Sequence, residues 1–188
     1  EAEKNNKSLS NPRGELAIMI EQAMLLRARG NHQGALSLLN KALESAKAQG
    51  DARTVASIHL KMATIFEDAK EYDKALKLLR HTLQEFRQHG DRQGELWALG
   101  GIAVIQVKTE DYENALANLE KALKLRSELG LATHQSRDLD FYLGEIYEGF
   151  REFERALEHY HRALISSQTN GDESRLGLLY DRLCTVYY

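Results

Sequence analysis

The sequence predicts an all-α fold, a solenoid of about nine helices arranged as helix-turn-helix repeats. Three observations carry that reading. An Ala-Leu pair recurs at Ala35-Leu36, Ala75-Leu76, Ala115-Leu116 and Ala156-Leu157, in steps of 40, 40 and 41 residues; recurrence at a fixed step is the mark of a stacked array. Each copy also holds two apolar stripes at helical spacing. Gly-Asp junctions then punctuate the copies at Gly50-Asp51, Gly90-Asp91 and Gly171-Asp172.

Residues 1–11 are polar and aperiodic, and are read as a flexible N-terminal arm. The solenoid is expected over 12–188, with repeats at about 12–50, 51–90, 91–130 and 131–171 and a half repeat at 172–188. Pro12, the only proline, suits the first turn of a helix. The first helix, about 13–29, is apolar on nearly every face through Leu16, Ile18, Met19, Ile20, Met24, Leu25 and Leu26. Such a helix is normally buried. At the positions of Ile18 and Leu25 later copies have Ile58 and Ile65, Ala98 and Ile105, Leu139 and Ile146. This face is therefore expected to meet another repeat, another domain or a second chain.

The second helix of each copy reads Ala-Leu-x-x-Leu-x-x-Ala-Leu, with Leu39 and Ala42, Leu79 and Thr82, Leu119 and Ala122, Tyr160 and Ala163 completing the stripe. The first helices carry Ala23, Ala63, Ala103 and Gly144, with Cys184 at the same phase in the unfinished fifth copy. These small residues let neighbouring helices approach, and Cys184 is read as one more packing residue. Glycine past a helix end takes the left-handed conformation, and the following Asp caps the next helix. Gly100-Gly101 within a helix costs about 1–2 kcal/mol relative to alanine, which points to a close approach or a tight crossing there. The fourth copy is one residue longer and lacks the Gly-Asp junction, so a changed helix start is expected, capped by Thr133 or Ser136. The last segment, about 173–188, is a first-type helix. Leu183 and Tyr187 are expected to face the position of a missing second helix.

The pattern resembles the tetratricopeptide repeat. Leu143-Gly144 and Tyr147 followed by Ala156-x3-Tyr160, and Tyr180, Leu183-Cys184 and Tyr187, match its signature in weakened form. The 40-residue step, where 34 is usual, and the absence of the customary proline set it with the long-helix members: the Pins/LGN adaptors, kinesin light chains, and Rap- and MalT-like domains. The resemblance implies a right-handed α-solenoid whose first helices line a concave groove. It places Ile20 and Met24, Leu60 and Thr64, Trp97, Gly100, Val104 and Lys108, and Asp138, Phe141, Glu145 and Glu148 in that groove. It also implies that chaperone tails are not bound, because Ile20, Leu60, Gly100 and Phe141 replace the Lys/Asn/Arg carboxylate clamp.

The expected function is a non-catalytic scaffold that binds a protein or peptide, an amphipathic helix or an extended segment with apolar anchors and basic residues. The alternatives are a signal-sensing domain for a small molecule or short peptide, and a module that self-associates through its ends at Ile18, Leu25, Leu183 and Tyr187. No phosphate loop, HExxH, CxxC or Gly-x-Ser-x-Gly occurs, so no catalytic set, cofactor or metal is assigned. The net charge of −3 gives no case for nucleic acid or an anionic membrane, and no apolar run is long enough to span one. One cysteine precludes internal disulfides and fits a reducing compartment, so a cytoplasmic location is expected. The sequence opens on Glu1 and is read as a fragment or a processed chain.

Overall fold

The computed structural model describes residues 12–131 and 139–187. Among them nine α-helices follow one another without a strand: α1 Pro12–Ala28, α2 His32–Ala48, α3 Ala52–Asp68, α4 Tyr72–Gln88, α5 Arg92–Lys108, α6 Tyr112–Glu128, α7 Leu139–Gly149, α8 Phe153–Asn170 and α9 Glu173–Tyr187. This is the expected all-α repeat solenoid, α1–α6 each being 17 residues long. The proposed arm 1–11, and the caps Thr133 and Ser136, lie outside the described residues.

The chain forms two compact units, Glu1–Lys74 and Ala75–Tyr188, divided in the first turn of α4. In the first unit α1 packs on α2, α2 on α3, and α1 also touches α3. In the second unit α5 packs on α6, α6 on α7, α7 on α8 and α8 on α9, while α5 also reaches α7. The small residues of the repeats are buried. Ala23, Ala35, Ala75, Ala103, Ala115 and Ala156 are fully buried, as are Ala42, Ala122 and Ala163. Thr82, the exception in that column, is buried with its hydroxyl donating to the Leu78 carbonyl at 2.9 Å.

Every described helix end that leads to a next helix closes in the same way. The residue past the helix has positive φ, its N–H bonds three residues back, and the following N–H bonds five residues back: Gly30 to Arg27 and Asn31 to Leu26, and so on to Asp172 to Ser167. This Schellman pattern satisfies carbonyls that the helix leaves without partners. Between repeats the positive-φ residue is glycine, as expected. Within repeats two to four it is Lys70, Glu110 or Arg151, which the sequence did not announce. Asp51, Asp91 and Asp172 then cap the next helix by accepting from Thr54, Gly94 and Arg175 N–H at 3.0, 2.9 and 3.1 Å. Asp111 turns its carboxylate instead to the Asn114 and Gln106 side chains. Buried Gln106 also accepts from Asn118 at 2.8 Å, which ties α5 to α6.

Gly101 makes room for a side chain and not for a second backbone, since a Cβ there would stand 3.1 Å from Leu79 Cδ2. Gly144 does the same for the Tyr160 ring, 2.4 Å away. Cys184 is exposed, contrary to the packing role expected of it. In earlier repeats the hairpin's second helix covers this position, and none follows α9 among the described residues.

Candidate functional site

The first helices stand side by side within each unit, and the groove residues named from the sequence are distributed along them. In the first unit Ile20 and Met24 of α1 and Leu60 and Thr64 of α3 are half-buried, so each keeps an accessible side. Arg27 and Asp68 join the same two helices, with Nε to Oδ2 at 2.5 Å. The Asp68 carboxylate raises the arginine's pKa.

In the second unit the expected lining is reduced. Trp97 is 39% exposed and Lys108 is exposed. Val104 is fully buried and Phe141 is 5% exposed, so neither offers a surface to a ligand. Both were expected in the groove because the family resemblance places their positions there. However, α5 is enclosed along almost its whole length, and Phe141 is held against Tyr142 and Tyr160, with ring centroids 5.3 and 6.0 Å away. Gly100 is buried facing α7, where an added Cβ would lie 3.7 Å from Leu139 Cδ2. Asp138 lies outside the described residues.

Glu145 and Glu148 are half-buried on α7, and their charge is not free. Arg182 of α9 reaches Glu145 at 2.9 Å and Glu148 at 3.5 Å. The Tyr160 hydroxyl donates to Glu148 at 2.6 Å. Burial raises the Glu145 pKa above the usual carboxylate range, opposed by Arg182 and Lys108. Burial, then the bond to Glu148, pushes the Tyr160 hydroxyl well above its ordinary value. The acidic charge that Glu145 and Glu148 were expected to bring to the groove is thus compensated from within. Arg182 was missed because the groove positions named from the sequence end at Glu148. Its separation of 37 residues from Glu145, close to one repeat, was the available signal.

Of the four residues assigned to the solenoid ends, Ile18 and Leu25 are bare, 58% and 59% exposed. Leu183 is 7% exposed and buried in a cluster with Phe141, Tyr160 and Leu179. It faces α7 and α8 and not an open end. Among the described side chains of α9, the large apolar groups exposed are Leu178 and Tyr180. Nothing is described of the Tyr187 side chain.

The repeat family Tetratricopeptide repeat matches residues 14–88 and 54–128, and a second model of the same description matches 101–172. The chain belongs to the tetratricopeptide repeat family. No curated protein matches it in sequence. Among solved structures it is similar to BtubC (BKLC) from P. vanneervenii, at 22% identity and TM-score 0.74, covering 92% of this chain and 73% of that one. It is also similar to aspartyl phosphate phosphatase F from Bacillus subtilis, at 17% identity and TM-score 0.75, covering 89% of this chain and 44% of that one. A Rap protein complexed with Competence and Sporulation Factor aligns at 18% identity and TM-score 0.72, covering 92% of this chain and 53% of that one. The chain spans about half the length of the last two. At these identities the likeness establishes the fold. Among the described residues no helix is long and apolar enough to cross a membrane.

Proposed function

We propose that this tetratricopeptide repeat chain is a protein-interaction module that binds a peptide or helix through exposed residues of its first helices. The observation that carries the proposal is the accessible apolar surface there: Ile20, Met24 and Leu60 half-buried in the first unit, Trp97 39% exposed in the second. Exposed aromatic and aliphatic groups on a rigid helical frame are the usual anchors of peptide recognition. Thr64 and Lys108 supply polar contacts at the same faces. Gly100, Val104 and Phe141 shape the backing of this surface and do not touch the ligand. Because Arg182 already pairs with Glu145 and Glu148, the preference for basic ligand residues is weaker than the two carboxylates alone would give.

The experiment is a peptide array or pull-down with the intact chain, followed by Trp97→Ala and Leu60→Ala. Loss of about tenfold or more in affinity supports the surface, as for a binding hot spot. Partner binding unchanged in both variants overturns it.

A second reading, a domain that senses a small molecule or short peptide, is favoured by the likeness to the Rap protein complexed with Competence and Sporulation Factor. A ligand from a small-molecule screen that raises the melting temperature, with Trp97→Ala removing the shift, would place sensing first.

A further inference from the structure

The core of the fourth repeat departs from the others, and the departure reaches its surface. Ala23 and Leu39, or Ala103 and Leu119, stand 16 residues apart in their repeats; at the same spacing this one has Gly144 and Tyr160. The fully buried Tyr160 ring fills the space that Gly144 leaves, since a Cβ there would stand 2.4 Å from it. Leucine would fill such a core with alanine opposite, as it does elsewhere. What tyrosine adds is a hydroxyl, which donates to Glu148 Oε2 at 2.6 Å. On the other side Arg182 Nη2 donates to Glu145 Oε1 at 2.9 Å, and Nη1 lies 3.5 Å from Glu148 Oε1. Glu145 and Glu148 are thus fixed from α8 and α9, with 15% and 23% of their side chains exposed. Of their four carboxylate oxygens only Glu145 Oε2 takes no bond from the described residues. The compensation of charge is also incomplete. One guanidinium faces two carboxylates, and exposed Lys108 of α5 acts on Glu145 through its charge without forming an ion pair among the described residues.

We infer that the fourth repeat is a recognition site for one basic side chain, lysine or arginine, of a peptide anchored at Trp97, and that Glu145 selects it. Such selection presupposes the peptide binding proposed above and gives the ligand chemistry in the second unit. The basic group donates to Glu145 Oε2, and its charge balances the carboxylate that Arg182 leaves over. A charged donor makes the stronger bond to a half-buried carboxylate, and an acidic side chain would meet like charge there. Tyr160, Glu148 and Arg182 are positioning residues: the phenol fixes Glu148, Glu148 fixes the guanidinium, and the guanidinium holds Glu145 by its other oxygen. The site is also sensitive to protons. Charged and titratable groups face Glu145 from every element around it: Lys108 from α5, Tyr112 from α6, Glu148 on α7 itself, Tyr160 from α8 and Arg182 from α9. Burial outweighs the cations and raises the Glu145 pKa. A basic side chain binds the ionised form, so its advantage is full above the raised value and is lost as pH falls through it.

The test uses the full chain and an array of short peptides, each made with one lysine and again with norleucine in its place. Pairs whose binding is lost in Trp97→Ala report on the second unit, and fluorescence anisotropy then gives both affinities. At pH 7 the lysine member should bind about tenfold or more tightly than its norleucine twin. The ratio should shrink towards one as the pH is lowered to 5, which tests the bond to Glu145 without any substitution. Glu145→Gln should bring the ratio to about one at both pH values. Tyr160→Phe should lower it at pH 7, where a merely structural role would weaken both members alike. Twins that bind equally at pH 7 overturn the inference and leave binding at Trp97 standing, as does a ratio that neither pH nor Glu145→Gln changes. An array without any Trp97-dependent peptide overturns it together with the second-unit surface it presupposes.

Discussion

Replacing Lys70, Glu110 and Arg151 by glycine should stabilise the protein. These residues hold φ of 58°, 60° and 61°, and their side chains are exposed. A non-glycine residue in the left-handed region costs about 1–2 kcal/mol. Glycine brings extra freedom to the unfolded chain, which returns about 0.4–1 kcal/mol. The net gain is about 0.5–1 kcal/mol per site. The three turns lie in separate repeats, so the gains should add to about 1.5–3 kcal/mol. For a chain of this length that corresponds to about 3–12 °C in melting temperature. The reciprocal change is Gly30→Ala, at φ 76° with no atom within 4 Å of the new Cβ, so its cost is conformational alone and of the same size. Urea unfolding followed by circular dichroism reads both, with an unchanged m-value showing that stability and not denatured-state structure has moved. A triple variant no more stable than the parent, together with a neutral Gly30→Ala, would refute the argument from backbone strain.

Two further substitutions probe the second unit. Gly144→Ala places a Cβ 2.4 Å from the fully buried Tyr160 ring and should cost about 2–3 kcal/mol by overpacking; adding Tyr160→Leu, which recreates the Ala23/Leu39 and Ala103/Leu119 pairing at the same spacing, should recover part of the loss in a urea titration. Arg182→Met removes the cation between Glu145 and Glu148 and should cost about 1–3 kcal/mol at pH 7 by leaving half-buried carboxylates without it. The Glu145 pKa is already raised in the folded state, so the folded chain binds its proton more tightly than the unfolded chain does. Its penalty is absent below the ordinary carboxylate range and grows as pH rises through the folded value. The Arg182→Met defect should accordingly be smaller at pH 4 than at pH 7, and a defect that does not change with pH would contradict it.

Most of the architecture was legible because it is repetitive. The alanines at 35, 75, 115 and 156 could be aligned by step alone, and all are buried. The Gly-Asp junctions identify themselves, since few other residues serve both the left-handed turn and the cap. The left-handed turns at Lys70, Glu110 and Arg151 were not legible, because hydrogen bonds there override a local preference of about 1–2 kcal/mol. The surface was harder to read. The family resemblance placed Trp97, Val104 and Phe141 in the groove, but a repeat position does not say how closely the next helix approaches; Val104 and Phe141 are enclosed while Trp97 is not. Arg182 shows the same limit. A neighbour one repeat away neutralises carboxylates that, read along their own helix, looked like an acidic surface.

The most direct test of the binding proposal is a hydrogen-exchange footprint of the chain with and without a partner recovered from the array. Added protection is expected on first helices, in α1 and α3 around Ile20, Met24, Leu60 and Thr64 or in α5 around Trp97, with α2, α4 and α6 unchanged. Protection confined to the second helices, with Trp97 fluorescence unaltered on binding, would contradict it.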